Sequence, residues 1–292
     1  MLNKKKTGDY VFNTFLYILL AVAGAATLYP FLNVLAISLN DATDAIKGGI
    51  YLWPREFTLE NYKEVFAYPD LSYSAMVSVL RTVAGTAVCV LSSSMLAYVL
   101  SRRDFSARKL FSLLFVITMY IDGGMVPNYL LVKWLHLYNN FFVYILPGIV
   151  GVFYILIIRT YITSLGTELQ ESAQIDGAND VVVFFRIVFP LCAPVVATVA
   201  LFSAVGQWNS WFDTYLYTDG SKWTTLQFQL VKILQNTTVT APTHIDETNA
   251  PKVSPEAIRM TITIIATLPI VAVYPFLQKF FVKGMMIGAV KS

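Results

Sequence analysis

Residues 167–190 read TELQESAQIDGANDVVVFFRIVFP and form a polar segment that leads into one long apolar run and follows another. Thr167 is followed three residues later by Gln170, which is the spacing of a capping box at a helix N-terminus. Gly177 can end such a helix, because glycine readily adopts the left-handed conformation that follows a last helical turn. The pattern therefore predicts a short helix from about 168 to 176.

The predicted helix has a small apolar side, formed by Leu169 and Ala173, with acidic residues around it. A second helix follows directly, and Pro190 and Pro194 in its apolar body predict a rigid hinge. Two interpretations fit this local pattern. The segment is either a docking element at a membrane surface or an ordinary cytoplasmic loop that is helical.

The composition indicates a polytopic membrane protein, since 56% of the 292 residues are hydrophobic and 13% are charged. Backbone groups in lipid must satisfy their own hydrogen bonds, so each apolar run of about 20 residues is expected to be a helix. The predicted helices span residues 12–39, 75–100, 109–127, 141–163, 185–211 and 260–282. The predicted fold is an all-α membrane protein, with residues 1–292 as a single transmembrane domain of six helices.

Lysine and arginine cluster in the short loops on one side of these runs, which the positive-inside rule assigns to the cytoplasm. Both termini and the loop 166–181 are then cytoplasmic, whereas the loops 40–74 and 212–259 lie outside. The first apolar run continues well beyond the length of a signal peptide. We therefore expect it to remain as the first helix.

The sequence lacks the residues that several classes of function require. It contains no G-x-x-x-x-G-K-[ST] phosphate-binding loop, so ATP must bind to a partner if it supplies the energy. No nucleophile with a base and no metal-ligand spacing is present, so we predict no catalytic residue, no metal site and no cofactor on this chain. The net charge of +3 comes without a basic cluster interleaved with aromatics, which argues against nucleic acid as a partner.

Ionisable residues are also scarce within the apolar runs. Arg81, Asp122 and Asp213 are predicted near helix ends, and the helix middles are predicted to be neutral. Proton- and ion-coupled carriers keep charged groups at membrane depth, where such groups are costly unless they function. The pattern therefore disfavours a secondary transporter.

The segment in the opening quotation resembles the "EAA" loop of permease subunits of ATP-binding-cassette (ABC) importers. The match is Glu-x-Ala, three residues, Gly, nine residues and Ile-x-x-Pro, with Ser172 in place of the usual Ala and Phe189 in place of the usual Leu. The resemblance implies the type I ABC importer permease fold, with a cytoplasmic coupling helix that seats in an ATPase. The residues to which it assigns ATPase coupling are Glu171, Ser172, Ala173, Asp176, Gly177, Asp180, Ile187 and Pro190.

Four further stretches narrow the resemblance to carbohydrate permeases. IDGANDVVVFFRIVFPL (175–191) and FVKGMMIGAVKS (281–292) are similar to maltose-type permeases. DGGMVPNYLLVKWLHLYNN (122–140) and GQWNSWFDTYLY (206–217) resemble permeases for complex or acidic oligosaccharides such as pectin fragments or alginate. The implied function is oligosaccharide import across the bacterial cytoplasmic membrane. An ABC permease for a non-sugar solute and a stand-alone secondary transporter are the alternatives.

The resemblance also implies the partners. They are a second permease subunit, an ATPase dimer that binds ATP and Mg²⁺, an extracytoplasmic solute-binding protein, the oligosaccharide and membrane lipid. In the family, the loop that corresponds to about 218–255 reaches the solute-binding protein. A disordered connector is the other interpretation of that segment.

A sugar path should be lined by neutral polar and aromatic groups. The C–H bonds of a sugar pack against aromatic ring faces, and its hydroxyls form hydrogen bonds with amides. The candidates are Gln207, Trp208, Asn209, Trp211, Asn128 and Tyr129. An aromatic belt at the outer membrane interface would equally explain the tryptophans. A plain Gly/Pro helix terminus would explain the sequence around Asn128.

Overall fold

The structure is a computed structural model that describes residues 7–220, 222–239 and 254–289. Within these ranges the regular structure is helical, apart from one isolated bridge between Asn40 and Phe57. The α-helices in chain order are α1 (Thr7–Ser38), α2 (Ala42–Ile46), α3 (Glu60–Phe66), α4 (Leu71–Ser101), α5 (Arg108–Tyr120), α6 (Met125–Trp134), α7 (Val152–Ser164), α8 (Glu168–Ile175), α9 (Asp180–Val183), α10 (Phe189–Leu191), α11 (Ala193–Asn209), α12 (Phe212–Tyr217), α13 (Leu226–Val239) and α14 (Pro255–Ala289). A 3₁₀ turn covers Phe141–Tyr144, and a π turn covers Phe184–Val188.

Two compact units divide the chain, one built from residues 1–69 and 232–268 and the other from 70–231 and 269–292. In the first unit, a polar network folds the segment that follows α1. The amide Nδ2 of the fully buried Asn40 donates to Asp44 Oδ2 at 3.0 Å, and Arg55 Nε donates to the same oxygen at 2.9 Å. These interactions lower the pKa of Asp44, and the Asn40 bond contributes most. Part of the predicted outer loop 40–74 therefore has a defined, hydrogen-bonded structure.

In the second unit, α4 is central and packs against α7 and α11. Small residues on α4, including Ser93 and Ala97, are almost fully buried and let the neighbouring helices approach closely. Small residues are common at such contacts in membranes, because in lipid the hydrophobic effect does not drive helices together and close packing must. Ser93 Oγ also accepts a hydrogen bond from the backbone N–H of Gly151 at 3.1 Å. The core that surrounds them consists of Val90, Tyr98, Leu100, Ile155, Ile158, Ile162, Val183, Phe184, Val188, Cys192, Val195 and Val199.

Three stretches of the described residues are single helices long and apolar enough to cross a membrane: Tyr10–Ser38, Leu71–Ser101 and Pro255–Pro275. Three further pairs pass the same test of length and composition together, but each is sharply bent. They are Arg108–Tyr120 with Met125–Trp134 (116°), Val152–Ser164 with Glu168–Ile175 (78°), and Asp180–Leu191 with Ala193–Asn209 (81°). The count of spans is thus three to six by this test, and six remains a prediction.

Helix bounds differ from the predicted runs where glycine and proline lie. The run 109–127 contains a helix that ends at Tyr120, since Gly124 takes a φ of +86° and the chain turns before α6. The run 141–163 begins with the 3₁₀ turn, and its α-helix starts only at Val152. The run 185–211 is interrupted at Cys192, between Pro190 and Pro194. Hydropathy marks apolar length and does not register these backbone breaks.

Candidate functional site

The loop 166–181, here called the coupling segment, is built around α8. The predicted capping box is wrong, because the Thr167 side chain makes no hydrogen bond to the helix N-terminus. The predicted stop at Gly177 is confirmed. Gly177 has a φ of +84°, its N–H donates to the Gln174 carbonyl at 3.0 Å, and the Ala178 N–H donates to the Ala173 carbonyl at 2.9 Å. This pair of bonds is a Schellman motif, which favours glycine at the left-handed position.

The coupling segment turns one side to the core and one side outward. Ala173 and Ala178 pack against the buried cluster of the second unit. Leu169, predicted to share a side with Ala173, is instead 60% exposed, and Ile175 is 87% exposed. The exposed surface of α8 also carries Glu171 and other polar residues of the segment, namely Ser172 and Asp176. An apolar and acidic surface on a helix fixed to the core is suited to docking a partner.

Asp180 ties the coupling segment to the end of α4. Its Oδ1 accepts hydrogen bonds from Arg102 Nη1 at 2.9 Å, from Gln174 Nε2 at 3.2 Å and from the Tyr98 hydroxyl at 3.5 Å. Arg102 also makes a bidentate pair with Asp104, at 2.6 and 2.8 Å. That pair lowers the pKa of Asp104 to about 2 and raises the pKa of Arg102. Sequence inspection missed Tyr98 and Arg102, because only the fold brings them to Asp180.

The remaining predicted coupling residues lie between the coupling segment and α11. Ile187 is half-buried within the π turn, and Pro190 is exposed in α10. Asn179 caps this helical stretch, since its Oδ1 accepts from the Val182 N–H at 2.9 Å. The chain then turns by 81° at Cys192. A short, bent connection thus joins α8 to α11.

A second candidate site is a cavity of about 370 Å³ in the second unit, here called the polar cleft. Its walls come from α4, the 143–151 turn region, α7, the end of α11 and α12. Gly85 on α4 makes room for the Gln207 side chain, because a Cβ at Gly85 would lie 2.7 Å from Gln207 Nε2. The polar and aromatic lining residues include Arg81, Tyr144, Tyr154, Gln207, Asp213 and Tyr217.

Arg81 is the most strongly bonded residue of the polar cleft and is only 2% exposed. Its Nη2 donates to Asp213 Oδ2 at 2.5 Å and to Gln207 Oε1 at 2.9 Å. Its Nη1 donates to Asp213 Oδ1 at 3.1 Å and to the Ser210 carbonyl at 3.3 Å, and Nε donates to Gln207 at 3.1 Å. The guanidinium also lies over the Tyr144 ring, 4.3 Å from its centroid. All five N–H donors therefore have acceptors.

Further hydrogen bonds hold the groups around this ion pair. The Tyr144 hydroxyl donates to the Trp223 carbonyl at 2.5 Å and lies within hydrogen-bond distance of Thr214 Oγ1, at 3.1 Å. Asp213 Oδ1 accepts from the Thr214 N–H at 2.9 Å.

The prediction that charges lie only near helix ends is wrong for Arg81, which is buried more than two turns inside α4. Its partner is 132 residues away in sequence, and local patterns carry no signal for such a pair.

The predicted path residues separate into different environments. Gln207 lies in the polar cleft, and the Tyr129 ring stacks on Tyr217 at its border, with centroids 6.4 Å apart. Trp208 is buried on another face of α11, where it lines an apolar cavity of about 210 Å³. The other three candidates are exposed, and they are Asn128, Asn209 and Trp211. Only Gln207 and Tyr129 are thus brought to one site.

The chain belongs to a family described as the binding-protein-dependent transport system inner membrane component, whose model matches residues 2–287. It is 42% identical over 285 residues to Protein LplC of Bacillus subtilis (strain 168), which covers 97% of this chain and 95% of that protein. It is 37% identical over 286 residues to the polygalacturonan/rhamnogalacturonan transport system permease protein YtcP of the same organism, with 97% and 99% coverage.

A solved structure of similar fold is that of a bacterial ABC transporter involved in the import of the acidic polysaccharide alginate. One of its chains matches with a TM-score of 0.81 and 26% identity, covering 95% of this chain and 99% of that one. The resemblance to carbohydrate ABC permeases is confirmed, and so is the type I permease fold. The chain is a membrane-embedded transport component. Within the described ranges, no group of three or more His, Cys, Asp or Glu side chains is placed to hold a metal ion.

Proposed function

We propose that this chain is one of two permease subunits of an ATP-driven importer that moves an oligosaccharide across the bacterial cytoplasmic membrane. Family membership supports the importer class, and the polysaccharides that two of the similar proteins transport support a substrate of the pectin or alginate type. The observation that carries the proposal is the coupling segment: an exposed apolar and acidic helix anchored to the core at Ala173, Ala178 and Asp180.

The coupling segment is the docking site for the ATPase dimer in this proposal. ATP and Mg²⁺ bind to that dimer. Glu171 meets basic residues of the ATPase, and the exposed Leu169 and Ile175 bury their side chains in its groove. Both termini lie with this segment in the cytoplasm, as the distribution of lysine and arginine predicts.

The second permease and the lipid surround the apolar helices, and an extracytoplasmic solute-binding protein delivers the sugar on the opposite side. The segment predicted to meet that protein, about 218–255, lies partly outside the described residues, since 221 and 240–253 are not described.

Movement of the ATPase reaches the polar cleft by two routes, one along the chain and one through an ion pair. One runs from α8 through the helical stretch Asp180–Leu191 into α11, which carries Gln207. The other runs from Asp180 through Arg102 into α4, which carries Arg81. Because both helices border the cleft, tilting them together changes the side to which it opens, as rigid-body alternating access requires.

Substitution at Gly177 tests the proposal. Gly177→Asp places a side chain and a charge on a backbone with a φ of +84°, at the end of α8. The variant should reach the membrane but lose oligosaccharide uptake and transport-linked ATP hydrolysis. Gly48→Asp is the matched control, because Gly48 has a φ of +70°, a Cβ built there meets no atom within 4 Å, and it lies in a loop outside the coupling segment. Undiminished uptake by Gly177→Asp would contradict the proposal.

Co-purification tests the assembly. The tagged chain, extracted from its native membrane, should bring with it an ATPase and a second permease, identified by mass spectrometry. A homo-oligomer that transports without an ATPase would instead support the stand-alone carrier. Competition by unlabelled oligosaccharides in uptake would separate a sugar importer from a permease for another solute.

A further inference from the structure

The charges of the polar cleft have a consequence for the substrate. Among the described residues that line it, the only side chains from Arg, Lys, His, Asp or Glu are Arg81 and Asp213, and these two form an ion pair at 2.5 Å. All five N–H donors of Arg81 are already accepted by Asp213, Gln207 and the Ser210 carbonyl. The wall is therefore neutral overall and has no free cation to offer.

Exposure within the pair is uneven. The Arg81 side chain is 3% exposed, whereas the Asp213 side chain is 23% exposed. The half of the pair that a ligand meets is therefore the carboxylate. A second carboxylate in the cleft would lose hydration, gain no ionic partner from this wall and lie near a charge of its own sign.

An uncharged sugar unit meets suitable groups on the same wall. Its hydroxyls can donate to Asp213 and accept from the second N–H of Gln207 Nε2, whose first N–H donates to the Tyr144 carbonyl at 3.3 Å. Its C–H faces can lie against the rings of Tyr154 and Tyr217, both half-buried there. A pyranose unit also fits within about 370 Å³, a volume in the range of small-molecule sites.

We propose that the polar cleft is a subsite for an uncharged, hydroxyl-bearing sugar unit, and that its Arg81–Asp213 wall discriminates against uronate carboxylates. The inference rests on the proposed function and refines its substrate class. The inference narrows the proposed substrate to oligosaccharides that include neutral units, such as the rhamnose of a rhamnogalacturonan, and disfavours oligomers built of uronates alone, such as those of alginate.

Gly206 allows a direct test, because it lines the cleft and a Cβ built there meets no atom within 4 Å. Gly206→Arg adds a cation to the cleft without removing a side chain, and Gly206→Gln is the neutral control for added bulk. The complete importer, purified from its native membrane and reconstituted in proteoliposomes with its binding protein, is given two probes. They are an oligogalacturonide and the same oligomer with its carboxyl groups reduced to primary alcohols.

The measured quantity is the ratio of acidic to neutral probe taken up, compared between variants so that the preference of the binding protein cancels. We expect Gly206→Arg to raise this ratio on the order of tenfold over wild type, as an unscreened cation within a few ångströms would, and Gly206→Gln to leave it unchanged. An unchanged ratio in Gly206→Arg would overturn the subsite, and so would an equal rise in Gly206→Gln.

A second variant pair covers poor assembly of Gly206→Arg. Asp213→Asn removes the negative charge of the cleft but keeps an amide oxygen that can accept from Arg81, and it should raise the same ratio. Asp104→Asn removes a charge that is also paired with an arginine but lies outside the cleft, and should not change it. If both cleft variants take up both probes with ATP and the ratio of acidic to neutral probe stays at the wild-type value, the subsite is refuted and the proposed function stands. If the wild type takes up neither probe, the proposed function itself is refuted.

Discussion

Asp180 in the coupling segment lies 2.9 Å from Arg102, at the end of α4 and 78 residues earlier in the chain. The bond connects the helix that would contact the ATPase to the helix that carries Arg81. The same guanidinium also holds Asp104, so two acidic residues of similar exposure share one arginine. Only one of the two belongs to the coupling segment, which makes them a matched pair for experiment.

We predict that Asp180→Asn lowers the amount of sugar imported per ATP hydrolysed several-fold, whereas Asp104→Asn leaves it near the wild-type value. Stability should change little in either case, because exposed ion pairs contribute about 0–1 kcal/mol. Uptake and ATP hydrolysis measured in the same proteoliposomes give the ratio. Equal losses in both variants would show that Arg102 acts by general stabilisation.

The pair of Arg102 with Asp104 should be insensitive to pH in the physiological range. The pKa of Asp104 is lowered to about 2, so its contribution is fully present above the unfolded pKa of about 3.9 and is lost only as pH falls toward 2. The difference in ATP hydrolysis between wild type and Asp104→Asn should therefore be constant from pH 5 to pH 8. A difference that titrates within that window would contradict this assignment.

Gly177 should tolerate asparagine better than alanine. Its φ of +84° is costly for alanine, by about 1 kcal/mol, whereas asparagine enters the left-handed region more readily. Gly177→Asn should retain more sugar uptake than Gly177→Ala at equal amounts in the membrane. Gly48→Ala carries a similar backbone penalty in a loop, at a φ of +70°, and should transport normally. If Gly177→Ala matched Gly177→Asn, the end geometry of α8 would not matter for coupling.

Cysteine labelling tests the orientation. The native Cys89 and Cys192 are buried, so an introduced cysteine should dominate the reaction with a membrane-impermeant maleimide. Ile175→Cys, at a position 87% exposed, should react only from the cytoplasmic side and be protected when the ATPase is bound. Trp53→Cys, at a position 82% exposed, should react only from outside. Labelling of both from one side would refute the topology.

The Arg81–Asp213 pair should show strong coupling in a double-mutant cycle. Arg81→Met or Asp213→Leu alone leaves a buried or half-buried charge without its partner and should cost about 3–5 kcal/mol. The double variant replaces the pair by apolar groups and should cost less than either single change. Thermal unfolding of the purified complex measures these costs. Additive losses would show that the two side chains do not stabilise each other.

Much of the fold could be predicted from the sequence because its signals are local. Apolar length marked the membrane helices, since lipid requires a helix wherever the backbone crosses it. The Gly177 stop was also predictable, because a left-handed residue after a helix is a local requirement. The breaks at residues 121–124 and at Cys192 were less visible, because apolar length is the same on either side of a bend.

The amino-acid sequence by itself determined the class of this protein, its apolar helices and the end of α8 at Gly177, because each depends on the chemistry of neighbouring residues. Tertiary structure alone decided which residues act together. It brought Asp180 to Arg102, placed Gln207 beside Arg81 and Asp213, and sent Trp208 to a different face of the same helix. The physical reason is that ion pairs and cavity walls are made by residues distant in sequence, and their partners are set by how the helices pack.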